Sequence, residues 1–416
     1  MAFGVVAAVR GWGSFTSDWI APFGTIFINL LKLIAVPLVL ASLITGVASL
    51  ADLRKLGRIG GKTIAIYLST TVVAIVIGLV IVNSLRPGDR VPESMQAQLK
   101  ATYAAATSDR EALAAEASER GPLQAFVDMV PDNFFGAASN NRNMLQVVFF
   151  SILMGIGIIG IKEEKAKTLL DFFHAMNDVI IRLVDIIMMM APIGVFALMA
   201  STITSVAGDD VSNVVDLVGA LGYYGLAVIL GLFIHMSVTY PLLLKLFSPV
   251  SLKRFIFGIA PVQLVAFSTS SSGATLPITM EACEKKIGVS EEVSSFVLPL
   301  GATINMDGTA LYQGIAAVFI AQALGMDLGL GAQLTIVLTA LLASIGTAAV
   351  PGAGIIMLVI ILESVGIPSE GLALIIGVDR ILDMARTVTN VTGDATVATI
   401  VAASEGQLRI PEAEAA

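Results

Sequence analysis

Long apolar runs, separated by short polar stretches, dominate the pattern of this chain. The run from 63 to 85 reads TIAIYLSTTVVAIVIGLVIVNSL and carries no charge, and roughly 20 such residues in helical form cross the hydrocarbon core of a membrane. Because lipid offers no partner to bare backbone groups, we expect helices. The first run is too short to span, and we expect it to belong to an incomplete first helix. The predicted spans are 1–15 (incomplete), 24–50, 63–85, 122–161 (long and broken), 176–203, 215–245, 292–322 and 369–403.

Lysine and arginine in the short loops predict the orientation of these spans, because cytoplasmic loops carry an excess of basic residues. We expect three basic segments on the cytoplasmic side: ADLRKLGRIGGK, KEEKAK and KLFSPVSLKRF. The segment 86–121 balances acidic against basic residues and has little apolar bulk. We interpret it as an external loop with some helix.

Two apolar stretches are interrupted where a membrane helix would be continuous. They read VQLVAFSTSSSGATLPITMEA and LTALLASIGTAAVPGAGIIMLVIIL, and each has two apolar arms around a tip of small and hydroxyl residues with a proline. Neither arm crosses comfortably, so we predict two re-entrant helical hairpins whose tips line a protein cavity; kinked membrane helices are the alternative. GATLP is echoed by TAAVP, and NMDGT by NVTGD. This echo favours an inverted repeat of the kind that marks a transporter's substrate site.

Composition supports a membrane protein and argues against several other classes. Hydrophobic residues make up 56% of the chain and charged residues 13%, whereas about 25% are charged in a soluble domain. The net charge of −8 argues against nucleic acid as a partner. One cysteine, Cys283, excludes a Cys-cluster metal site. The Ser270–Ser272 run has no nearby base, so serine catalysis is unsupported; a channel remains an alternative, because polar stripes line pores too.

A polar stripe runs along the last predicted span. Its members are spaced by four, three, four and four residues and, at about 3.6 residues per turn, share one helix face: Asp379, Asp383, Arg386, Asn390 and Asp394. An ion facing lipid is costly, so the stripe must face a protein interior or a wet cavity. One interpretation is an ion-pair network that holds helices together, and the other is a binding site.

The charges in this region do not balance, which favours the binding site. Asp307, in NMDGT, adds a fourth acid to the three on the stripe, against Arg380 and Arg386. Buried carboxylates without a counter-charge become protonated or recruit cations. The neighbouring donors are hard oxygens, which suit Na⁺, K⁺, Ca²⁺ or protons rather than zinc or copper. We predict alkali-cation coupling, with proton coupling as the alternative.

Arg386 and Asp383 predict the chemistry of the ligand. A guanidinium holds a carboxylate through two hydrogen bonds, and the hairpin tips offer helix N-terminal amides that attract anions. Asp383, one turn before Arg386, is placed to hold an ammonium group. An anion site, an arginine and an aspartate together describe the binding of an acidic amino acid.

Four motifs, in order, resemble the glutamate/aspartate transporter family, the dicarboxylate/amino acid:cation symporters: STSSSGATLPITM, LPLGATINMDGTALYQG, ASIGTAAVPGAG and ILDMARTVTNVTGD. The resemblance runs from PFGTIFINLLKLIAVPLVLASL to about Ala403 and points to a prokaryotic member. It implies an all-α integral membrane protein with eight transmembrane helices and two re-entrant hairpins, in the plasma (inner) membrane. It also implies a homotrimer in contact with membrane lipid, no enzymatic activity, and Na⁺-coupled symport of L-aspartate or L-glutamate by an elevator movement.

The resemblance divides the chain into a scaffold and a transport domain. The implied parts are 1–62 scaffold helices, 63–85 transport-domain helix, 86–121 extracellular loop, 122–203 scaffold helices, 215–245 transport-domain helix, 256–288 re-entrant hairpin 1, 292–322 broken helix with NMDGT, 332–366 re-entrant hairpin 2, 369–403 substrate-binding last helix and 404–416 cytoplasmic tail.

The resemblance also implies roles for single residues. Asp383 takes the substrate ammonium and Arg386 the side-chain carboxylate. Further substrate contacts are implied for Thr309, Thr387 and Asn390, and for the backbone of Ser271, Ser272, Val350 and Gly354. Three Na⁺ positions are implied: Gly301, Asn305, Asn390 and Asp394 for one ion; Thr303, Ser344, Ile345 and Thr347, largely through carbonyls, for a second; and Tyr67, Thr70, Thr71, Asn305 and Asp307 for a third.

Three positions refine this picture. Arg386 is similar to members with acidic substrates rather than to the neutral amino acid exchangers. Gln313 stands where vertebrate-type members carry a proton-bearing glutamate, which argues against proton transport through that position. Archaeal members have an arginine where this chain has Ser270, and we expect Arg380 to reach the same electrostatic neighbourhood and to join the substrate site. A proton-coupled glutamate/aspartate or C4-dicarboxylate symporter is the alternative, although a dicarboxylate without an ammonium would leave Asp383 unpaired.

Overall fold

The structure is a computed structural model that describes residues 2–49, 58–91, 130–139, 143–207, 212–345 and 351–409. Within these ranges the regular structure is helical, apart from an isolated antiparallel bridge between Val289 and Leu408, which confirms the all-helical class. Most of the predicted loop 86–121 lies outside the described ranges. The α-helices are Ala2–Val9, Gly13–Phe15, Ala21–Ser49, Arg58–Leu85, Phe134–Ala138, Met144–Gly160, Glu163–Met189, Ala191–Ala207, Ser212–Ile234, Tyr240–Phe247, Leu252–Thr269, Ser272–Ala282, Glu291–Ile304, Asp307–Ala323, Leu330–Ile345, Ala353–Ser364 and Leu372–Ser404.

Several of these helices are long and apolar enough to cross a membrane. In the described part of the chain, four stretches qualify by length and composition: Gly13–Thr45, Arg58–Arg90, Val215–Phe247 and Leu252–Thr269. A bent pair of helices between 163 and 201 gives a fifth candidate. These spans make the chain a multi-pass membrane protein, while the number of eight transmembrane helices stays a prediction.

One helix begins earlier than the apolar pattern indicates. The sequence predicts a span over 176–203 after a basic loop, whereas the structure has a helix from Glu163 to Met189 and a second from Ala191 to Ala207, bent by 53°. The apolar pattern missed this start because charged residues interrupt it. Glu163 and Glu164 lie in the first turn, where negative charge complements the positive end of the helix dipole.

Two helical hairpins occupy the predicted positions near 256–288 and 332–366. In the first, Leu252–Thr269 packs against Ser272–Ala282. Ser270 makes the turn with a φ of 53°, a left-handed conformation that is uncommon for residues other than glycine. In the second, Leu330–Ile345 packs against Ala353–Ser364; its tip at 346–350 lies outside the described residues.

The predicted span 292–322 is two helices, Glu291–Ile304 and Asp307–Ala323, separated by Asn305 and Met306. The interruption opens the N-terminus of the second helix into the protein interior. Asp307 is its first residue and is fully buried. Negative charge is favoured at this end of a helix, so the break itself helps to stabilise the carboxylate.

The last helix, Leu372–Ser404, is buried over most of its length and packs against the broken helix and both arms of the first hairpin. Gly393 permits a close approach: a Cβ there would lie 2.6 Å from Oη of Tyr240 and 2.8 Å from Nδ2 of Asn305. Beyond the helix, Glu405 pairs with Arg58 and Lys62 at 2.5 and 2.6 Å. Hydrogen bonds from these two bases lower the pKa of Glu405 to about 2.

Candidate substrate and cation sites

Arg386 is the centre of a buried ion cluster. Its guanidinium donates from Nη1 to Oδ1 of Asp379 at 2.9 Å and from Nη2 to Oδ1 of Asp383 at 2.8 Å. Its Cζ lies 3.8 Å from the centroid of the Tyr312 ring, a cation–π contact that strengthens when water is excluded. Asp379, Asp383, Arg386 and Tyr312 are termed the arginine cluster here. Its acids outnumber its base by one.

Arg380 lies at the edge of the arginine cluster. Its Nη1 is 4.0 Å from Oδ2 of Asp383, and its side chain is 62% exposed. This distance is too long for a hydrogen bond, so Arg380 influences Asp383 through charge alone in this arrangement. Of the two arginines on the last helix, Arg386 is the fully buried one.

The second hairpin approaches the arginine cluster through its second arm. The backbone N–H of Gly352 donates to Oδ2 of Asp383 at 3.1 Å. A Cβ on Gly354 would lie 3.6 Å from Cζ of Arg386, so this predicted contact residue borders the cluster. Val350 lies outside the described residues.

Asn390 connects the last helix to the broken helix. Its Oδ1 accepts from the N–H of Gly308 at 2.8 Å, and its Nδ2 donates to Oγ1 of Thr309 at 3.2 Å. Thr387 instead donates to the carbonyl of Asp383 in its own helix at 2.9 Å. Asn390 and Thr309 are therefore brought together, whereas the Thr387 hydroxyl is used within the last helix.

The first hairpin places its predicted contact residues at a helix N-terminus. Ser271 caps the arm Ser272–Ala282 by accepting from the N–H of Ala274 at 3.1 Å, and Ser272 is buried. The backbone N–H groups at such an end attract anions. The arm also packs against the last helix, so the first hairpin contacts the helix that carries the polar stripe.

Asp394 lies two turns beyond Arg386, beside the helix break. Nδ2 of Asn305 donates to Oδ1 of Asp394 at 2.9 Å. Gly301 packs against the same carboxylate, since a Cβ there would lie 2.5 Å from Oδ1 of Asp394. Three residues of the first predicted Na⁺ position, Gly301, Asn305 and Asp394, are therefore in contact.

Asp307 accepts three hydrogen bonds. Thr71 donates to Oδ1 at 2.7 Å, while Tyr240 donates to Oδ2 at 2.9 Å and Nε2 of His235 lies 3.3 Å from Oδ2. The sequence interpretation did not include His235 or Tyr240. The one signal in the sequence that could have identified His235 is its ionisable ring within the apolar span 215–245, since such residues are rare in membrane helices and mark functional sites.

The other members of the third predicted Na⁺ set surround the same region. Oγ1 of Thr70 is 3.5 Å from Oδ1 of Asn305 and donates to the carbonyl of Tyr67 at 3.0 Å. Tyr67 is fully buried and donates to the carbonyl of Val297 at 3.0 Å. Hydroxyl and amide oxygens thus lie close to both acids.

The side chains of the second predicted Na⁺ position are not brought together by hydrogen bonds. The hydroxyls of Thr303 and Ser344 donate to carbonyl groups of their own helices at 3.0 and 2.7 Å. Ile345 is the last residue before the undescribed tip, and Thr347 lies within that tip. Carbonyl ligands at this position stay a prediction.

In the described part of the chain, the one basic side chain within 4.0 Å of Asp307 or Asp394 is His235, whose Nε2 lies 3.3 Å from Oδ2 of Asp307. Among the described residues, no Lys or Arg lies within 4.0 Å of either carboxylate, and no cluster of three or more His, Cys, Asp or Glu could hold a metal. The two residues are termed the uncompensated acids. The oxygen donors around them fit an alkali cation better than a transition metal.

Comparisons with known proteins find matches over nearly the whole chain. A family model described as the sodium:dicarboxylate symporter family matches residues 1–404. The chain is 37% identical over 407 residues to the proton/sodium-glutamate symport protein of Geobacillus stearothermophilus, covering 97% of this chain and 92% of that protein. It is 36% identical over 415 residues to the protein of that name in Bacillus subtilis (strain 168), covering 100% and 93%. It is 39% identical over 408 residues to excitatory amino acid transporter 3 of Mus musculus, covering 89% and 76%.

Proposed function

The chain belongs to the sodium:dicarboxylate symporter family, and we propose that it is a secondary active transporter that carries L-aspartate or L-glutamate together with Na⁺ across the plasma membrane. It is a transporter rather than an enzyme. The observation that carries this proposal is a contrast between two buried sites. The arginine cluster contains a buried arginine, whereas among the described residues the uncompensated acids have no Lys or Arg within 4.0 Å.

The arginine cluster supports an acidic amino acid as substrate. Arg386 and Asp383 hold each other at 2.8 Å, and a zwitterion with an extra carboxylate offers each of them a replacement partner of the right sign. Nε of Arg386 has no hydrogen-bond partner among the described residues, so the guanidinium retains a donor for a ligand carboxylate. A ligand without an ammonium would separate the pair and leave Asp383 without its partner, which is costly for a buried charge.

The uncompensated acids support cation coupling. Each carboxylate is buried among hydroxyl and amide groups, and a buried charge without a partner recruits a cation or takes up a proton. Asn305, Thr70, Thr71 and the interrupted backbone would supply further oxygens to Na⁺. Asn390 contacts the helix that begins with Asp307 and lies on the stripe with Asp394, so it joins the cation region to the substrate region.

We infer an elevator movement of a transport domain in a homotrimer from the family resemblance. In this arrangement Lys32, on the scaffold helix Ala21–Ser49, pairs with Glu370, just before the last helix, at 2.6 Å. A displacement of the transport domain would break this pair, so it reports on the position of the two parts.

The alternative is a proton-coupled symporter of glutamate, aspartate or C4-dicarboxylates. The same observation favours it: a buried carboxylate without a Lys or Arg partner is also neutralised by a proton. Gln313, which donates to the carbonyl of Gly354 at 3.2 Å, carries no titratable proton. Any proton would therefore travel on Asp307 or Asp394.

The test is uptake of labelled L-aspartate into liposomes that contain the purified protein, with Na⁺, H⁺ and K⁺ gradients imposed one at a time. We expect saturable, concentrative uptake under an inward Na⁺ gradient, and none when choline replaces Na⁺. Saturation and accumulation separate a carrier from a channel. Equal uptake under a proton gradient without Na⁺ would refute Na⁺ coupling, and accumulation of succinate but not aspartate would refute the substrate assignment.

A further inference from the structure

Two residues that belong to none of the three predicted Na⁺ positions contact one carboxylate oxygen of Asp307. The Tyr240 hydroxyl and Nε2 of His235 both contact Oδ2, at 2.9 and 3.3 Å, and all three side chains are buried. The segment His235–Thr239 is a π turn, a wider turn that is frequent at functional sites. It brings the two rings together edge to face, with centroids 4.7 Å apart.

The two oxygens of Asp307 are therefore unequal. Oδ2 meets two donors, which fills the capacity of a carboxylate oxygen, whereas Oδ1 accepts from Thr71 alone among the described contacts. Oδ1 thus keeps a free lone pair. That oxygen is on the side of Thr71, in the same helix as Thr70, which lies beside Asn305.

Nε2 of His235 is the donor in this contact. An ionised carboxylate oxygen has no hydrogen to give, so the hydrogen between Nε2 and Oδ2 of Asp307 belongs to His235. Its Nδ1 has no partner in the described structure. The Tyr240 hydroxyl has one hydrogen to donate, and Oδ2 of Asp307 at 2.9 Å is a nearer acceptor than the carbonyl of Thr389 at 3.2 Å.

Taken with the proposed function, on which it rests, this geometry leads us to propose that His235 and Tyr240 are positioning residues for the co-transported cation. By donating to Oδ2 they fix the rotation of the Asp307 carboxylate. Oδ1 then faces the oxygens of Thr70, Thr71 and Asn305, where the cation binds. Neither residue touches the cation or the amino acid.

The variants test whether His235 and Tyr240 act as hydrogen-bond donors or only fill space. His235→Gln keeps an N–H that can reach Oδ2, His235→Leu keeps bulk without a donor, and Tyr240→Phe removes a single hydroxyl. His174→Leu is the matched control, because His174 is the other histidine and lies exposed on Glu163–Met189. Tyr240→Phe is the smallest change and tests the proposal even where His235→Leu folds poorly.

Two measurements on the purified full chain report the cation without relying on transport. One is the Na⁺ concentration for half-maximal L-aspartate binding, and the other is the rise in Tm caused by Na⁺ alone. We expect His235→Leu and Tyr240→Phe to raise the half-saturating Na⁺ concentration roughly tenfold each and to reduce the Na⁺-induced rise in Tm. Aspartate affinity in saturating Na⁺ stays within about threefold. His235→Gln and His174→Leu stay close to the unmodified protein.

Each contrary outcome has a distinct meaning. Unchanged Na⁺ affinity in both His235→Leu and Tyr240→Phe would overturn the positioning role while the proposed function stands. An equal loss in His235→Gln and His235→Leu would also overturn it, because bulk rather than donation would then matter. An unmodified protein that binds aspartate without Na⁺ would overturn the proposed function and this inference together.

Discussion

The arginine cluster and the uncompensated acids are both buried, and both include residues of the last helix. They differ in the groups that contact their carboxylates. Asp379 and Asp383 are held by Arg386 at 2.9 and 2.8 Å. Asp307 and Asp394 meet hydroxyl, amide and imidazole groups and no Lys or Arg among the described residues. The first site thus holds an arginine of its own, whereas the second does not.

This difference predicts different modes of binding for the proposed substrate and the proposed cation. The proposed zwitterionic substrate exchanges partners with the Arg386–Asp383 ion pair, so its binding replaces existing bonds. The proposed cation at Asp307 or Asp394 adds a positive charge where the described residues supply no Lys or Arg. The stability of the protein before ligand binding should therefore respond in opposite directions to mutations at the two sites.

The largest effect is expected at the arginine cluster. Arg386→Cys leaves Asp379 and Asp383 buried without a base, and loss of one member of a buried pair costs about 3–5 kcal/mol. We expect aspartate affinity to fall roughly 100- to 1,000-fold, with serine or alanine gaining access to the emptied space. Binding calorimetry and uptake into liposomes measure both changes. Arg182→Cys is the control, since that side chain is 74% exposed and its ion pair is with Asp185; an unchanged affinity in Arg386→Cys would remove the substrate assignment.

The next test compares acids between the two sites. Asp394→Asn keeps an oxygen for Nδ2 of Asn305 but removes an uncompensated charge, so Tm in Na⁺-free buffer should rise while the half-saturating Na⁺ concentration increases about tenfold or more. Asp307→Asn should behave in the same way. Asp383→Asn should lower Tm in that buffer, because Arg386 loses a charged partner, and should preserve the Tm increase that Na⁺ alone produces. Scanning calorimetry with and without Na⁺ measures these changes in Tm. Changes of the same sign at all three positions would contradict the expected difference between the two sites.

A moderate effect is expected at Gly393, where the last helix approaches Tyr240 and Asn305, which donate hydrogen bonds to Asp307 and Asp394. A Cβ at Gly393 would lie 2.6 Å from Oη of Tyr240, so Gly393→Ala should cost about 1–3 kcal/mol of stability. It should also weaken Na⁺ binding by moving Asp394 away from Asn305. Gly222→Ala is the matched control, because nothing lies within 4 Å of a Cβ at that helical position. Equal Tm and Na⁺ titrations for the two variants would argue against this close approach.

The smallest effect is expected at Glu405, whose ion pairs with Arg58 and Lys62 lie beyond the end of the last helix and serve as a reference for the two buried sites. Hydrogen bonds from Arg58 and Lys62 lower the pKa of Glu405 to about 2, below its ordinary value in an unfolded chain. The folded state therefore gains stability from this carboxylate above its unfolded pKa and loses it as pH falls through about 2. Glu405→Gln should lower Tm slightly at pH 7, and the difference should shrink as the buffer is made strongly acidic. A difference that grows on acidification would contradict the pairing.

The stripe on the last helix was predictable because it depends on helical periodicity alone. Its spacing gave the shared face of Asp379, Asp383, Arg386 and Asp394, which the structure buries together. The choice of partners was not predictable, since residues three and seven positions from Arg386 both lie within its reach. The charge surplus could be counted from composition, but its location at Asp307 and Asp394 required the packing of separate helices.

Sequence patterns missed His235 and Tyr240 for a different reason. Their contacts with Asp307 join residues 72 and 67 positions apart, and no periodicity encodes such a distance. The early start at Glu163 was missed because charged residues obscure the apolar repeat there. Local rules thus identify helix faces and breaks, while the partners of a buried group depend on tertiary packing.

The two hydrogen bonds that the Asp383 carboxylate accepts have a further consequence for ligand binding. One oxygen is used by Arg386 and the other by the N–H of Gly352 in the second hairpin. Both oxygens of Asp383 thus have a partner before any ligand binds, one from its own helix and one from the second hairpin. A ligand ammonium that reaches Asp383 must displace at least one of these two donors.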